Sequence, residues 1–324
     1  MDHAAIAHHA LIQYDIQVVN VTPIAQSGAA VFKIEDNRGL LFSLRVHLPK
    51  SSTLEKIWMS QDVLDSELVW LEALNSDTSL TLPVPQRNLQ GSFVTQVDEI
   101  NCTMLRWVEG EQKQYFTNDQ ELKSTAEMTA ALHQQSSKWQ APSSFVRPTY
   151  DSGRVRHALD LLKQRMREGV LDTHDVQILN AAGEKAITLL DTLPINNMTW
   201  GLSHNDLLPG NIVYVNGVAN PIDFGACGYS FFLNDLACTF CFVHPHTRQQ
   251  YIDWYGAQFQ LPNDYVTQLE GFFIASQLTS MIHSLGLPDS NNWLPTHIQK
   301  SAAREFGRYV IGEDFLFTGT PFWE

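Results

Sequence analysis

The sequence predicts an α+β fold of two lobes, an antiparallel β-rich N-lobe carrying one helix and a mainly helical C-lobe into which a hairpin is set. Three observations predict it. Residues 16–108 fall into short β-rich runs, and from Asn118 onward apolar residues recur at helical spacing. Between Asn211 and Ile222, two alternating runs flank Asn216-Gly217, a dipeptide that favours a type I′ turn. At 324 residues the chain exceeds a typical single domain, which suits a division into residues 1–108 and residues 109–324.

Taken in order, residues 1–13 read as a short helix bearing His3, His8 and His9, to which no role is assigned. The β runs are Ile16–Val21, Ala30–Glu35, Leu40–His47, Phe93–Asp98 and Cys102–Val108, with a turn at Asp36-Asn37-Arg38-Gly39. Pro23 to Ala30 links the first two runs and contains Ser27 and Gly28. One helix interrupts the strands from about Thr53 to Leu74: Leu64, Leu68, Leu71 and Leu74 form its apolar stripe, Val63 and Trp70 widen it, and Glu67 lies beside it. The last run ends in Glu109-Gly110, where a hinge between lobes is expected.

Helices then follow at Asp119–Ser137, Arg154–Glu168 and Val176–Leu193. Beyond the hairpin they are expected from Asn234 and at about 246–259, 263–285 and 295–311, with Gly286, Pro288 and Pro295 separating the last two. Asp235 reads as an N-cap.

The chemistry is concentrated in His204-Asn-Asp-Leu-Leu-Pro-Gly-Asn211 and Asp223-Phe-Gly225. Phosphoryl transfer needs a carboxylate for the acceptor hydroxyl, an amide oxygen and a second carboxylate for Mg²⁺, and little covalent chemistry from the protein. An H-x-D segment with Asn five residues after the Asp, followed by DFG, supplies all three. Asp206 is then the base, and Asn211 and Asp223 the metal ligands, brought together by the hairpin between them. In such a lobe a base on the third strand is oriented by a glutamate of the helix and meets the nucleotide phosphates. Arg45 and Glu67 occupy those places and are expected to pair. Ser27 and Gly28 are small enough for backbone amides to approach phosphate, and a plain hairpin turn is the equal alternative. Backbone groups of Arg106 and Val108 are the expected adenine contacts.

Together these stretches resemble the aminoglycoside phosphotransferase and choline kinase superfamily, the small-molecule branch of the protein-kinase-like fold. The resemblance covers most of the chain: LRVH with Arg45, SELVWLEAL with Glu67, LRWVEGE at the hinge, ALHQQS around His133, SHNDLLPGN, PIDFGACG and NDLACTF. The wording is nearest the subgroup of homoserine-kinase type II enzymes and bacterial stress-response Ser/Thr kinases. The resemblance implies ATP and Mg²⁺ in the cleft, Asp206 as base, Asn211 and Asp223 at magnesium, and His204 and Asp235 supporting the loop. Arg45 departs from the usual lysine, and the nucleotide loop has only Gly28.

The expected acceptor is a hydroxyl of a small, amine-bearing metabolite. Residues 186–299 hold eight carboxylates and a single Lys or Arg, Arg248, an imbalance that favours a cation. Tyr150, Asp151 and Trp254 are candidates for an amine cage, with Trp293 a further aromatic. A protein Ser/Thr kinase is the second reading, disfavoured by Asn205 in place of the HRD arginine and by the lack of an APE-like segment. A nucleotide-binding regulator without turnover is the third.

With 35 acidic against 21 basic residues, a net charge of −14 opposes binding to nucleic acid or an anionic membrane. No apolar run approaches a membrane span, and the acidic start Met1-Asp2-His3 argues against a signal peptide, so a cytoplasmic protein is expected. Cys102, Cys227, Cys238 and Cys241 lack zinc spacing and read as reduced thiols.

Overall fold

The computed structural model describes residues 2–26, 29–48, 60–285 and 289–321. Ser27, Gly28 and the first turns of the helix expected from Thr53 lie outside them.

Helix α1 (His3–Leu11) is capped by Asp2, whose carboxylate accepts from the amides of Ala4 and Ala5. Its apolar residues Ile6, Ala7, Ala10 and Leu11 pack with Phe32, Ile34, Phe42, Leu44 and Val46 of the sheet. The strands are β1 (Val18–Gln26), β2 (Ala29–Asp36), β3 (Leu41–His47), β4 (Pro85–Gln86), β5 (Val94–Val97) and β6 (Ile100–Arg106). They form one antiparallel sheet in the order β1-β2-β3-β6-β4, with β5 also on β6. Strand β1 runs longer than its sequence suggests: Pro23, Ala25 and Gln26 pair with Phe32, Val31 and Ala30, an antiparallel pairing within the stretch expected to hold a nucleotide-covering loop or a hairpin turn.

Helix α2 (Gln61–Asp77) follows β3 in the chain and buries Val63, Leu64, Leu68, Trp70, Leu71 and Leu74, the stripe read from the sequence, with Glu67 on the same buried side. After β6 the chain crosses to the C-lobe through Gly110. A Cβ there would lie 2.5 Å from Val213 Cγ1 and 2.6 Å from the Tyr214 carbonyl oxygen, so the approach requires glycine. The next strand, β7 (Glu111–Gln112), pairs with the catalytic hairpin.

The C-lobe helices α3 (Asp119–Ser136), α4 (Ser152–Arg167) and α5 (Thr173–Thr192) carry Asn118, Asp151 and Asp172 as side-chain N-caps. Strand β8 (Trp200–Ser203) enters the catalytic region. The hairpin is β9 (Ile212–Val215) and β10 (Val218–Pro221), turned at Asn216 and Gly217 with φ 52° and 79°, both positive as a type I′ turn demands. Strand β11 (Gly228–Phe231) leaves the region and pairs antiparallel with β8, so one small sheet anchors the loop after β8 and the loop before β11. Helices α6 (Leu233–Phe240), α7 (Arg248–Gly256), α8 (Tyr265–Leu285), α9 (Ser290–Ser301) and α10 (Gly307–Ile311) complete the lobe around a core that includes Phe240, Tyr251, Phe272, Phe273 and Phe306. Pro295 does not bound a helix as expected; it lies inside α9. Lacking an N–H, it leaves the Asn291 carbonyl without its helical donor, while Leu294 and Ile298 of the same helix are buried in the core. Among the described residues no helix is long and apolar enough to cross a membrane.

Candidate active site

The loop after β8 is shaped by Asp235 on α6. Its carboxylate, fully buried, accepts from the backbone amides of His204 (2.9 Å) and Asn205 (2.6 Å) and from His133 Nε2 (3.1 Å). Asn205 takes a left-handed φ of 61°, a conformation that a non-glycine residue holds only when its surroundings demand it. Here its side chain meets the carbonyls of Ser203 and Gly228 at 3.1 Å each and accepts from Asn234 Nδ2 at 2.9 Å. The position that carries arginine in HRD-type loops thus serves as a polar bracket between β8, β11 and α6. His204 donates from Nε2 to the Ile222 carbonyl at 2.9 Å, tying the loop to the residue before Asp223. Burial lowers its pKa, so the ring is neutral.

Asp206 and Asn211 meet across the loop. Asn211 Nδ2 donates to the Asp206 carbonyl (2.9 Å) and to its carboxylate Oδ2 (2.7 Å), so the Asn211 amide oxygen is directed away from Asp206. The Asn211 carbonyl accepts from the Ile222 amide at 2.9 Å, which brings the Asp223 backbone alongside. Asp223 has φ 58° and ψ 66°, a second left-handed non-glycine residue at the site. Burial raises the Asp206 pKa to about 7, the negative charge of Asp223 adds to the rise, and the Asn211 hydrogen bond opposes it. A carboxyl group with that value is poised as a base near neutral pH.

The described residues contain no cluster of three His, Cys, Asp or Glu side chains able to hold a metal by themselves. Asn211 and Asp223 instead offer a hard oxygen pair, which suits a cation that keeps waters and phosphate oxygens in its shell.

Above this loop pair, Arg45 Nη1 and Glu67 Oε1 lie 2.7 Å apart, the expected ion pair, with both side chains buried. Arg45 Nε also donates to Thr103 Oγ1 at 3.0 Å, and the Thr103 hydroxyl lies 2.9 Å from His47 Nε2. His47 is neutral, its pKa held well below its ordinary value by burial and by Arg45, and its contact with Thr103 completes a buried Arg45–Thr103–His47 chain. Burial opposes the Arg45 charge, yet Glu67 first and then Asp223 outweigh it and raise the pKa. Arg45 Nη2 is buried and finds no hydrogen-bond partner among the described residues. A buried guanidinium donor left open, in a group whose charge Asp223 also favours, fits a bound anionic group.

At the hinge, the Arg106 amide donates to the Val84 carbonyl at 2.8 Å, so that half of its backbone is already engaged and only its carbonyl suits an adenine contact. Val108 follows the end of β6. The three acceptor candidates are held by different parts of the lobe. Tyr150 is brought to the catalytic end, donating to the Ala226 carbonyl at 2.6 Å, with Asp206 close enough to influence its titration. Asp151 is exposed and caps α4 through the Gly153 amide at 2.9 Å. Trp254 is half-buried against the helical core. Thr103 was not visible as a site residue in the sequence, because its role depends on the cross-strand pairing of Arg45 with Thr103.

The family described as phosphotransferase enzyme family (APH) matches residues 22–266. No curated protein matches the chain. Among solved structures, a microcompartment-associated aminopropanol kinase is 21% identical with TM-score 0.79, covering 97% of this chain and 100% of its own. An amicoumacin kinase in complex with AMP-PNP, Ca²⁺ and Ami is 18% identical with TM-score 0.78, covering 97% of this chain and 96% of its own. A mutant aminoglycoside 2′-phosphotransferase IIIa bound to GDP is 17% identical with TM-score 0.68, covering 94% of this chain and 99% of its own.

Proposed function

Because the chain belongs to the phosphotransferase enzyme family, we propose that it is a small-molecule kinase moving the γ-phosphate of ATP to a hydroxyl of an amine-bearing metabolite. The observation that carries this reading is the Asn211 amide bridging the carbonyl and carboxylate of an Asp206 whose pKa is raised to about 7. Asp206 orients the acceptor hydroxyl and takes its proton as the oxygen–phosphorus bond forms and ADP departs. Arg45, fixed by Glu67 and Thr103, presents Nη2 to the phosphates. The Arg106 carbonyl and the Val108 amide receive adenine at the boundary between residues 1–108 and 109–324. Mg²⁺, held by the Asn211 amide oxygen and the Asp223 carboxylate, would neutralise phosphate charge.

Two features support a cationic acceptor. The single Lys or Arg in residues 186–299, Arg248, is buried and donates to the carbonyls of Val243 (3.1 Å), Leu316 (2.7 Å) and Phe240 (2.8 Å), so it does not offset the carboxylates of that stretch. The solved structures named as an aminopropanol kinase and an aminoglycoside phosphotransferase also take amine-bearing compounds by name. Tyr150, Asp151 and Trp254 are the residues proposed to select the acceptor.

The test is transfer from labelled ATP with Mg²⁺ to a panel of amino alcohols and aminoglycosides, run beside a protein mixture. Label should appear in a small amine, and Asp206→Asn should lose roughly 10²-fold or more in turnover with nucleotide binding kept. Label confined to protein, or turnover unchanged in Asp206→Asn, refutes the reading.

A further inference from the structure

Residues 145–150, between α3 and α4, are laced to both halves of the site. On one side the Val146 amide donates to Ser66 Oγ of α2 at 2.9 Å. On the other, Tyr150 donates from its amide to the Tyr229 carbonyl (2.8 Å), the Pro148 carbonyl accepts from the Tyr229 amide (2.9 Å), and Thr149 bridges Tyr229 in parallel. The segment therefore adds to β11, just beyond the Asp223 loop. Gly228 makes that possible, since a Cβ there would lie 2.4 Å from the Pro148 carbonyl oxygen.

Arg147 occupies the middle of this segment and is 6% exposed. Its Nη1 donates to the Val63 carbonyl in the first turn of α2 at 2.9 Å; its Nε and Nη2 donate to the carbonyls of Cys227 and Gly225, each at 2.7 Å. A guanidinium is always charged and costly to bury unless its donors are met in its own planar geometry. Here that plane adds a polar tie between two elements that also pack through Trp70 of α2, edge-on to Phe224 of the loop at 5.7 Å between ring centroids. Val63 lies one helical turn before Glu67, which holds Arg45, and Gly225 lies two residues after Asp223. The guanidinium thus links, through three carbonyls, the helix that aims Arg45 and the loop that carries Asp223.

We propose that Arg147 is a positioning residue that couples α2 to the Asp223 loop, so that the phosphate-facing Arg45 and the metal-facing Asp223 are ordered as one unit. The proposal rests on the reading of Arg45 and Asp223 given above. It predicts that Arg147 controls how much Mg²⁺ tightens nucleotide binding, rather than nucleotide binding itself. A residue that only held the fold together would weaken both equally.

The experiment is calorimetric titration of AMP-PNP with and without Mg²⁺ into the wild-type protein, Arg147→Lys and Arg147→Met. Arg147→Met should weaken binding about 10-fold in the presence of Mg²⁺, the scale seen when an outer-shell partner of a metal ligand is lost, with metal-free affinity unchanged. Arg147→Lys, which keeps the charge but reaches one carbonyl at a time, should fall between. Equal losses with and without Mg²⁺, or no loss, would overturn the coupling. A wild-type protein that gains nothing from Mg²⁺ would instead overturn the reading of Asn211 and Asp223. Should the variants not fold, hydrogen exchange on the wild type decides: Mg²⁺ and AMP-PNP together should protect residues 61–67 and 223–228 in concert, and protection confined to 223–228 refutes the proposal.

Discussion

Asn211 places one side-chain nitrogen between the carbonyl and the carboxylate of Asp206, at 2.9 and 2.7 Å. The residue proposed to hold the metal therefore also fixes the residue proposed to act as base. The same contact favours the charged form of Asp206, against the larger effect of burial and the added repulsion from Asp223. The loop is built at a cost to the metal-free fold.

That cost gives a pH signature. The folded value of about 7 lies above the ordinary carboxylate value of 3.8, so the folded state holds the proton more tightly than the unfolded chain. The contribution is fully present below about pH 4 and is lost as pH rises through about 7. In metal-free protein, Asp206→Asn should therefore melt increasingly above the wild type between about pH 4 and pH 7, levelling beyond. The gain is on the order of 2 kcal/mol after allowance for partial exposure. Thermal melts in chelator across that range check it; a constant difference would show that Asp206 keeps an ordinary pKa.

Asp235 carries a different dependence. Two backbone amides and His133 converge on its carboxylate, and the left-handed Asn205 is held in place by one of those bonds. Asp235→Ala strands two buried backbone N–H groups and the His133 Nε2–H, at about 3 kcal/mol or more, and frees Asn205 to leave its left-handed conformation. Chemical denaturation should register the loss. Turnover should fall more steeply than stability alone explains, because Asp206 directly follows Asn205.

The site was legible where its chemistry is local in sequence. Asp206, Asn211 and Asp223 are joined by one loop and one hairpin, and Asn216-Gly217 announced the turn that brings them together. The stripe of α2 placed Glu67 on a buried face, and a buried glutamate needs a cation, which Arg45 on β3 supplies. Other parts depend on pairings that no local pattern encodes. β8 and β11 are four residues each, too short for alternation to stand out, yet their pairing anchors the loop after β8 and the loop before β11. Thr103 acquires its role only through register with Arg45, and Arg147 through carbonyls 78 to 84 positions away. Pro295 misled because the burial of Leu294 and Ile298, which carries the helix past it, depends on tertiary packing.

Gly110 tests the link between lobes. Adding a methyl group there would drive it into Val213 and the Tyr214 carbonyl at 2.5 and 2.6 Å, and the latter is backbone and cannot rotate aside. In Gly110→Ala, β7 must separate from β9, and the Gln112 side chain must lose its 2.8 Å bond to the Gly210 carbonyl in the catalytic loop. Destabilisation of about 1–3 kcal/mol is expected, the usual range for overpacking. Hydrogen exchange should show lost protection at residues 111–112 and 213–214, and wild-type protection at both would show that the hinge adapts.

Arg45 can be tested against the lysine that the kinase pattern places on the third strand. Three geometric facts bear on it: Nη1 pairs with Glu67 at 2.7 Å, Nε donates to Thr103 at 3.0 Å, and Nη2 is buried without a hydrogen-bond partner among the described residues. A single ammonium cannot reproduce a planar fork that holds two partners and offers a third donor. Arg45→Lys should therefore leave Thr103 short of a donor, loosen the pair with Glu67 and weaken ATP binding about 10-fold, the loss of roughly one charge-assisted hydrogen bond. Thr103→Val should move the same measurement in the same direction by less, because Glu67 still holds Nη1. Nucleotide titration of both variants decides, and a lysine variant that binds ATP as tightly as the wild type would show that the Thr103 bracket contributes nothing to presenting Arg45.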